Sequence, residues 1–379
     1  MKKKVLITNA VPVNNGDAAL VFSLVDKLKS LDYEVTIATN YFSFVRSKYP
    51  EYSFIRELGD YFLLKKLPFL KPLFMRLNFR FNYRYRRHDY FISAPGGYLN
   101  SNYFPYHALL PLILAKEAGK KTGVYAQSVG PINQQDAIML RHAAKNIDIL
   151  MVRDMISLQT LKKLEYHGRI LTSKDAAFLA PPVKKSPARN KVVGISVREW
   201  HYDARDVSSY INMLTRLVEA VLEKGYKVEF ISTCQGIKGY KDDSIMAARI
   251  RQNLAERWLD NDVSLDQGYY KIDALREKLT HYQYVIGTRL HMCILSWLSD
   301  TPAFNISYEA KGLECYKYLG IPEYSIDYNN DPQEAVLKLA DFLAGIEGRR
   351  EEVRTEIQKV HEEVNGDLGQ FLNELDTPQ

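Results

Sequence analysis

The stretch YVIGTRLHMCILSWLSDTPAFNISYEAK, from Tyr284 to Lys311, decides the fold class of this chain. Its run YVIG predicts a buried strand, HMCILSWLSD carries apolar residues at helical spacing, and TPAFNISY predicts a second strand. Short apolar strands that alternate with longer helices are typical of parallel sheets covered by helices. The same stretch places Arg289 and His291 at the junction of the first strand and the helix.

The alternation continues on both sides of this stretch. The predicted strands are KVLITNA, YEVTIAT, DYFISAP, KTGVYAQS and DILMVRD in the first half, and KVVGISVRE, YKVEFIST, YQYVIGT and TPAFNISY in the second. The predicted helices include DAALVFSLVDKLKSL, YHALLPLILAKEAG, DAIMLRHAAKN and YINMLTRLVEAVLEKG. Pro, Lys and Ser replace the apolar pattern between Phe178 and Lys191, which predicts a linker.

We therefore predict an α/β chain of two doubly wound, Rossmann-like domains that face a shared cleft. The N-terminal domain is expected over residues 1–182 and the C-terminal domain over residues 190–330. The charged tail, residues 331–379, is expected to form helices that pack across both domains. A length of 379 residues agrees with two domains, since single cores stop growing at roughly 250 to 300 residues.

Bulk composition excludes several classes of protein. The chain has 46% hydrophobic residues and a formal charge of +6, which is modest for its length. Cys234, Cys293 and Cys315 have no metal-ligand spacing, and the start MKKKVLITNA leads directly into a strand pattern. These features predict a cytoplasmic protein without disulfides, zinc or a membrane span.

The segment YVIGTRLH has the chemistry of an anion site. A helix that starts near Arg289 directs free backbone N–H groups beyond the sheet, and Gly287 and Thr288 allow the backbone to approach a ligand. Arg289 is able to bind a phosphate or carboxylate through two hydrogen bonds, and an imidazole such as that of His291 exchanges protons near neutral pH. The alternative is that His291 caps or packs against the helix and Arg289 pairs with a surface acid.

Three further cations follow predicted strands. Arg153 ends the strand DILMV, and Arg198 has the equivalent place in the second half, so both guanidinium groups are expected at the carboxyl edges of the sheets, facing the cleft. Lys311 starts a helix and suits a phosphate. Local salt bridges for the arginines, and a solvated helix position for the lysine, remain open.

Two polar loops follow strands of the first half. In VPVNNGDAAL, Asn15 and Gly16 are expected in a tight loop and Asp17 as the cap of the next helix. In APGGYLNSN, Gly96 and Gly97 permit close approach to a ligand or a helix. Ordinary structural turns explain both loops equally well. Neither contains the glycine triplet of a dinucleotide fingerprint, which argues against a nicotinamide or flavin enzyme.

A basic and aromatic segment lies at residues 61–90. From Lys65 to Arg87 it holds eight Lys or Arg and no acid, interleaved with Phe, Tyr and Leu. This composition favours an anionic membrane surface, because the leucines add apolar burial that nucleic acid does not need. Nucleic acid and a merely solvated linker helix are the alternatives, and we predict no nucleic-acid partner.

Taken together, these segments resemble the polysaccharide pyruvyl transferase family. The resemblance rests on NNGDAAL, PGGYL, QSVGP, VRDMIS, TSKDAAF, GISVRE and GTRLHMCIL followed by TPAFNISYEAKGLECYKYLGI, in family order over residues 5–325. Two positions depart from the family pattern: Ala126 stands where a glycine is common, and Ala176 where a proline is frequent.

The resemblance implies a GT-B-like fold and transfer of the pyruvyl group of phosphoenolpyruvate onto a sugar as a ketal, with release of phosphate. It implies catalytic roles for Arg153, His291 and Lys311, and a donor-binding role for Arg289. The other expected substrate-binding positions are Gly287, Thr288, Asn15, Gly16, Asp17, Gly96, Gly97, Gln127 and Arg198.

No metal or cofactor is expected besides the donor, because arginine and lysine side chains can neutralise the leaving phosphate. The expected acceptor is a polyprenyl-linked oligosaccharide of a capsular or cell-surface polysaccharide, which suits an enzyme on the inner face of the plasma membrane. Two rival functions remain at this point: a nucleotide-sugar glycosyltransferase of the same fold, and a non-catalytic, membrane-docked glycan-binding protein.

Overall fold

The computed structural model describes residues 2–60, 70–103, 105–184, 190–198, 206–258 and 262–377. Residues 61–69 of the predicted basic segment and residues 185–189 of the predicted linker lie outside the described residues.

The chain divides into two compact units. Unit 1 comprises Met1–Val13, Leu20–Leu179 and Glu362–Gln379, and unit 2 comprises Asn14–Ala19 and Ala180–His361. The short segment Asn14–Ala19 belongs to unit 2 through its contacts, although the sequence predicted it within the N-terminal domain.

Unit 1 is built on an eight-stranded sheet whose pairings are all parallel. The order is β3-β2-β1-β4-β6-β7-β8, and β5 pairs with β6. The chain therefore winds outward in one direction from β1 and in the other from β4. The strands are β1 (Lys4–Thr8), β2 (Glu34–Thr39), β3 (Phe54–Arg56), β4 (Tyr90–Ser93), β5 (Gly96–Leu99), β6 (Lys121–Val129), β7 (Ile149–Val152) and β8 (Ile170–Thr172).

Seven α-helices of the described chain lie between or beside these strands. They are α1 (Asn15–Ser30), α2 (Phe42–Lys48), α3 (Lys71–Phe81), α4 (Tyr83–Arg86), α5 (Pro105–Glu117), α6 (Gln134–Ala144) and α7 (Met155–Lys163). Short 3-10 turns occur at Ser101–Tyr103 and Ala176–Leu179.

Unit 2 repeats the architecture with six parallel strands in the order β11-β10-β9-β12-β13-β14. This is the strand order of a doubly wound dinucleotide-binding sheet, with its switch point between β9 and β12. The strands are β9 (Val192–Ser196), β10 (Lys227–Phe230), β11 (Val263–Leu265), β12 (Tyr284–Gly287), β13 (Ala303–Ser307) and β14 (Ser325–Asp327). The helices are α8 (Val207–Glu223), α9 (Ser244–Gln252), α10 (Ile272–Leu279), α11 (Leu290–Leu298), α12 (Ala310–Tyr318) and α13 (Pro332–Asp376).

The sequence predicted nine strands, and the structure confirms each of them. It missed five: β5, which is rich in glycine, and β3, β8, β11 and β14, which are three residues long and lie at the ends of the two sheets. A strand at the end of a sheet has one neighbour and buries fewer side chains, so no run of apolar residues reveals it.

The tail forms one helix of 45 residues, α13. Its buried side chains recur every three or four residues from Ala335 to Leu375. In unit 2, Phe342 lies in an aromatic cluster with Tyr284, Phe304 and Tyr324, at ring-centroid distances of 5.1 to 5.6 Å. In unit 1, Phe371 meets the Tyr125 ring at 5.2 Å and lies directly over Gly123 of β6. The absence of a side chain at Gly123 is therefore a packing requirement.

We expect Gly123→Ala to destabilise the protein by about 1–3 kcal/mol, because the new Cβ would lie 2.5 Å from Cζ of Phe371 in a close-packed core. Urea denaturation would measure the change. The matched control is Gly366→Ala in α13, where an added Cβ meets nothing within 4 Å, and it should gain about 0.5–1 kcal/mol of helix stability. Equal stability of Gly123→Ala and the wild-type protein would contradict this packing.

Candidate active site

The switch point of the unit 2 sheet holds the predicted anion site. Ser196 at the end of β9 pairs with Gly287 at the end of β12, and the backbone N–H of Thr288 donates to the Ser196 carbonyl at 2.8 Å. Helix α11 begins immediately afterwards, with Arg289 as its N-cap. The predicted helix start is confirmed, and it lies where doubly wound sheets bind ligands.

Gly287 is required by packing within unit 2. A Cβ at this position would lie 2.6 Å from Sγ of Cys293, which is itself fully buried in α11. Thr288 is also buried, and its hydroxyl accepts a hydrogen bond from Tyr210 at 3.2 Å. Both residues therefore stabilise the junction of strand and helix.

Arg289 forms a bidentate salt bridge with Asp243. Its Nε and Nη2 each donate to one carboxylate oxygen of Asp243 at 2.7 Å, and Ser232 donates a further hydrogen bond to the same carboxylate. Burial lowers the pKa of Arg289, but the Asp243 carboxylate outweighs this effect and leaves the pKa above its ordinary value. The guanidinium group is thus paired with an acid, as in the alternative that the sequence left open for Arg289, although this acid is buried. Its donor-binding role stays a prediction.

His291 lies in the first turn of α11, against the first turn of α1. The sequence predicted Asn15 and Gly16 in a tight loop, but both belong to α1. A Cβ added to Gly16 would lie 3.0 Å from Nδ1 of His291, so the glycine is in contact with the imidazole ring. The neighbouring Asn15 is tied to unit 2 by its backbone N–H, which donates to the Thr233 carbonyl at 2.8 Å. Asn15 is buried, and its Oδ1 has no hydrogen-bond partner among the described residues. Gly16 and His291 are therefore brought together, although they are 275 positions apart in the sequence.

The cap of α1 differs from the prediction. Asn14 is the capping residue, because its Oδ1 accepts from the backbone N–H of Asp17 at 3.0 Å. Asp17 lies within the first turn and accepts from Nδ2 of Asn14 at 2.7 Å. The reciprocal pair fixes the turn that carries Gly16 to His291.

Arg198 follows β9 and is held against Tyr308, which follows β13. Its Nη1 donates to the Tyr308 hydroxyl, and its guanidinium carbon lies 4.8 Å from the centre of the tyrosine ring. The Arg198 backbone N–H donates to the hydroxyl of Tyr210, whose ring stacks on Tyr328 at 4.5 Å. Arg198 is thus fixed at the carboxyl edge of the sheet, where the sequence predicted it.

Lys311 lies in the first turn of α12 and is paired with Glu309. Both side chains are partly exposed. A partly exposed pair of this kind contributes little to stability, so the lysine can exchange its partner for an anionic ligand at small cost.

Two helices of this edge start without a side-chain cap. Neither Arg289 at the start of α11 nor Glu309 at the start of α12 forms a capping hydrogen bond, and neither first turn contains an acid. By contrast, Asp154 caps α7 and Asp206 caps α8. Uncapped helix starts favour anions, because their N–H groups and the helix dipole both direct positive charge outward.

The electrostatics of Cys234 indicate how closely these groups lie. Burial raises the pKa of the Cys234 thiol to about 11, and four charged side chains also act on it. Arg289 and Arg198 lower this pKa, whereas Asp243 and Asp17 raise it. Residues that follow β9, β10 and β12 and the first turn of α1 therefore share one electrostatic neighbourhood within unit 2.

Arg153 lies in unit 1, where it is buried. Its Nη1 donates to Asp175 at 2.7 Å, its Nε donates to Ser128 at 2.9 Å, and only 4% of the side chain is exposed. The sequence predicted that this guanidinium emerges at the edge of the sheet. It does follow β7, but its charge is matched by the buried carboxylate of Asp175.

The other predicted residues of unit 1 surround the ends of β4 and β6. Gly96 starts β5, where the sequence predicted a turn, and Gly97 lies beside Arg153, since a Cβ added to Gly97 would be 3.7 Å from Nη2. Gln127 is fully buried and donates to the Ala94 carbonyl at 2.6 Å, so it supports the loop after β4.

Ala126, where the resemblance noted in the sequence implies a glycine, has a positive φ of 45° beside a register shift in β6. Glycine adopts such a conformation more easily than alanine, because it has no Cβ. The backbone at this position is therefore one that suits a glycine.

A polar cluster in unit 1 was missed by the sequence analysis. Asn9, which follows β1, donates to Ser93 at 2.7 Å, and Ser93 is bonded to the Tyr98 hydroxyl at 2.6 Å. Glu57 follows β3 and lies close enough to raise the pKa of Tyr98. Burial raises the pKa of Glu57 itself to about 7, against the opposing effect of Lys71. The sequence analysis missed Glu57 because it did not recognise the three-residue strand β3 that precedes it. Without that strand, no pattern indicates that Glu57 lies at the edge of a sheet.

Neither a metal cluster nor a membrane span is found in the described part of the chain. No three His, Cys, Asp or Glu side chains there are grouped so that they could hold a metal ion. None of the helices described combines the length and apolar character needed to cross a bilayer.

The two doubly wound sheets define a GT-B-like protein. Solved structures similar to the chain include sucrose-phosphate synthase from Thermosynechococcus elongatus, with a TM-score of 0.64, 12% identity and 99% of each chain covered. UDP-GlcNAc 2-epimerase from Neisseria meningitidis is similar with a TM-score of 0.60 at 7% identity, again over 99% of each chain. At such identities the likeness shows the fold alone.

The family model of polysaccharide pyruvyl transferases matches residues 14–310. The chain belongs to this family, which makes it a transferase that acts in polysaccharide biosynthesis. It is 24% identical to the amylovoran biosynthesis protein AmsJ of Erwinia amylovora, over 95% of this chain and 96% of that protein.

We expect Gly16→Ala to displace the His291 ring, because the new methyl group would lie 3.0 Å from Nδ1. The NMR signals of the His291 imidazole should shift, while the free energy of unfolding changes by less than about 1 kcal/mol. Gly348→Ala, where an added Cβ meets nothing within 4 Å, is the control and should leave those signals unchanged. Unaltered His291 signals in Gly16→Ala would show that the contact does not hold the ring.

Glu57 should make stability depend on pH. Its folded pKa of about 7 exceeds the ordinary value of 4.5, so the folded state retains a proton that the unfolded chain loses between these two values. Stability should therefore fall as pH rises through this window. Glu57→Gln should remove a loss on the order of 2 kcal/mol. Denaturation midpoints measured at pH values across the window would test this, with Glu51→Gln, an exposed acid, as the control. Parallel curves for Glu57→Gln and the wild type would contradict it.

Proposed function

We propose that the protein transfers the pyruvyl group of phosphoenolpyruvate onto a sugar of a polysaccharide precursor, forming a pyruvate ketal and releasing phosphate. Family membership supports a pyruvyl transfer. The position of His291 carries the proposal: a histidine in the first turn of an uncapped helix, at the switch point of a parallel sheet and in contact with Gly16. A proton-transferring group and an anion-attracting helix start are what this donor requires.

The chemistry of the donor explains this requirement. Phosphoenolpyruvate becomes electrophilic at its central carbon when its methylene carbon takes up a proton and becomes a methyl group. We assign His291 as the donor of that proton. One sugar hydroxyl then adds to the central carbon and loses its proton, and the phosphate leaves with its bridging oxygen. A second hydroxyl adds to the same carbon and loses its proton, which the departing phosphate takes up, and the ketal closes. The two hydroxyl oxygens then occupy the places of the enol double bond and the phosphate.

The two anionic groups of the donor need cations at the edge of the sheet where α11 and α12 start. In the proposal, Arg198 and Lys311 hold the carboxylate and phosphate, together with the N–H groups at the starts of α11 and α12. Arg289 acts through its salt bridge with Asp243, which fixes the start of α11, and is a positioning residue. Arg153 is likewise proposed as a positioning residue, since its charge is matched by Asp175 and it lies beside Gly97.

The acceptor is proposed to bind at the carboxyl edge of the unit 1 sheet. Asn9, Glu57 and Tyr98 converge there, and amide, carboxyl and phenol groups are suited to sugar hydroxyls. A carboxyl group with a pKa near 7 can accept the proton that an acceptor hydroxyl loses. We propose a polyprenyl-linked oligosaccharide at the inner face of the plasma membrane as the acceptor, and the proposed reaction uses neither a metal nor a further cofactor.

A coupled phosphate-release assay with phosphoenolpyruvate and lipid-linked glycans tests the reaction. His291→Gln should lower turnover by at least about 100-fold, because it removes the proton donor while keeping a side chain of similar size. His281→Gln, an exposed histidine in the same unit, should retain wild-type turnover. Mass spectrometry of the product should show a gain of about 70 mass units, the difference expected when a pyruvate ketal replaces two hydroxyl hydrogens.

The same assay separates the rival functions. Consumption of a nucleotide sugar, with phosphoenolpyruvate left intact, would identify a glycosyltransferase. Glycan binding by both His291→Gln and the wild type, without turnover of any donor, would identify a non-catalytic protein. Either result would overturn the proposal.

A further inference from the structure

Helix α3 exposes an apolar stripe on its outer face. Leu73 is 57% exposed, Leu77 is 49% exposed and Phe81 is 77% exposed, and their spacing of four residues places them on one side of the helix. Leu70 precedes them on the same side, and Tyr83 follows with 74% exposure. Among the described residues, one third of the exposed large hydrophobic side chains fall between residues 70 and 83. Scattered apolar residues are normal on a surface, but a continuous stripe of them indicates an interaction.

The inner face of the same helix is already packed. Met75 and Phe79 are buried in the hydrophobic core of unit 1, and the Phe79 ring lies 5.8 Å from that of Phe91. The outer stripe is therefore not needed to hold α3 on its unit. A helix that is apolar on both sides has a second apolar partner besides its own core.

Basic residues lie beside the stripe. At 100° per residue, Arg76 and Arg80 fall on one flank of it and Lys71 on the other, and the exposed Arg84 and Arg86 follow in α4. Arg76 has a long contact of 3.4 Å to Glu117 between two exposed side chains, a weak pair. No Asp or Glu occurs from residue 61 to residue 88. The partner of this surface is therefore apolar at its centre and negatively charged around it.

We propose that the outer face of α3 and the following turn dock on a membrane leaflet rich in anionic lipid. The helix axis would lie in the plane of the bilayer, with Leu73, Leu77 and Phe81 at the boundary between headgroups and acyl chains and the arginines among the lipid phosphates. A second copy of the chain fits this surface less well, because a symmetric contact would bring the arginines of both copies together. Nucleic acid would satisfy the arginines but would leave the leucines without an apolar partner.

Flotation of the full-length protein with phospholipid vesicles tests this docking surface. Vesicles of phosphatidylcholine with phosphatidylglycerol should bind the protein, and binding should weaken at high salt because the arginines are exposed. Leu73→Ser/Leu77→Ser/Phe81→Ser should lose at least about tenfold in binding, since three apolar side chains no longer enter the lipid. Arg80→Glu/Arg84→Glu should lose at least about tenfold on the anionic vesicles and little on phosphatidylcholine alone.

The controls separate docking from folding and from the reaction. Ile138→Ser/Ile245→Ser/Leu337→Ser removes three equally exposed apolar side chains elsewhere and should bind like the wild type. None of the substituted residues has a role in the proposed transfer, so each variant should retain phosphate release with a water-soluble acceptor.

Three results would overturn the docking surface. The first is wild-type protein that stays unbound with anionic vesicles, and the second is a serine variant that binds them as well as the wild type. The third is dimerisation, or binding to single-stranded RNA, that the serine variant abolishes while vesicle binding is unaffected.

Discussion

The parallel pairing of β9 with β12 is the contact on which the candidate site depends. It places the ends of two strands side by side, although the chain leaves them in different directions, and the backbone N–H of Thr288 is bound to Ser196 at 2.8 Å. Helix α11 therefore starts at the gap between two diverging connections, with its first N–H groups directed beyond the sheet. Every other group of the site is arranged around this start: Arg198 after β9, Cys234 after β10, and His291 within the first turn. The catalytic hypothesis is in this sense a consequence of strand order.

Buried salt bridges then decide which cations remain available to a ligand. Arg289 and Arg153 are bound to Asp243 and Asp175 at 2.7 Å, and both carboxylates are almost fully buried. Removing either acid would leave an uncompensated charge in a site of low dielectric constant, which is strongly unfavourable. These arginines are thus best understood as parts of the framework. Lys311, which is partly exposed and paired with a partly exposed acid, has the freedom that a ligand-binding cation needs.

The segment Asn14–Ala19, which is the cap and the start of α1, links the sequence motif to the chemistry. It leaves β1 in unit 1, yet its contacts belong to unit 2, where Asn15 is bound to Thr233 and Gly16 is in contact with His291. Gly16 leaves room for the imidazole, since an added Cβ would lie 3.0 Å from its Nδ1. Helix α3 shows the same limit of a local pattern. The spacing of its apolar residues is visible in the sequence, but only the structure shows which of them face outward.

The sequence by itself determined the two parallel sheets, their nine longer strands, the helix that starts at Arg289 and the family to which the chain is similar. It could do so because strand and helix periodicity are local, and because the carboxyl ends of parallel strands necessarily lie at one edge of a sheet. Only the tertiary structure decided which acid neutralises Arg289, which residue caps α1, that Glu57 lies with Tyr98, and which face of α3 is exposed. Asp243 and Arg289 are 46 residues apart. The choice among many possible partners at such separations depends on how the elements pack, which no local pattern encodes.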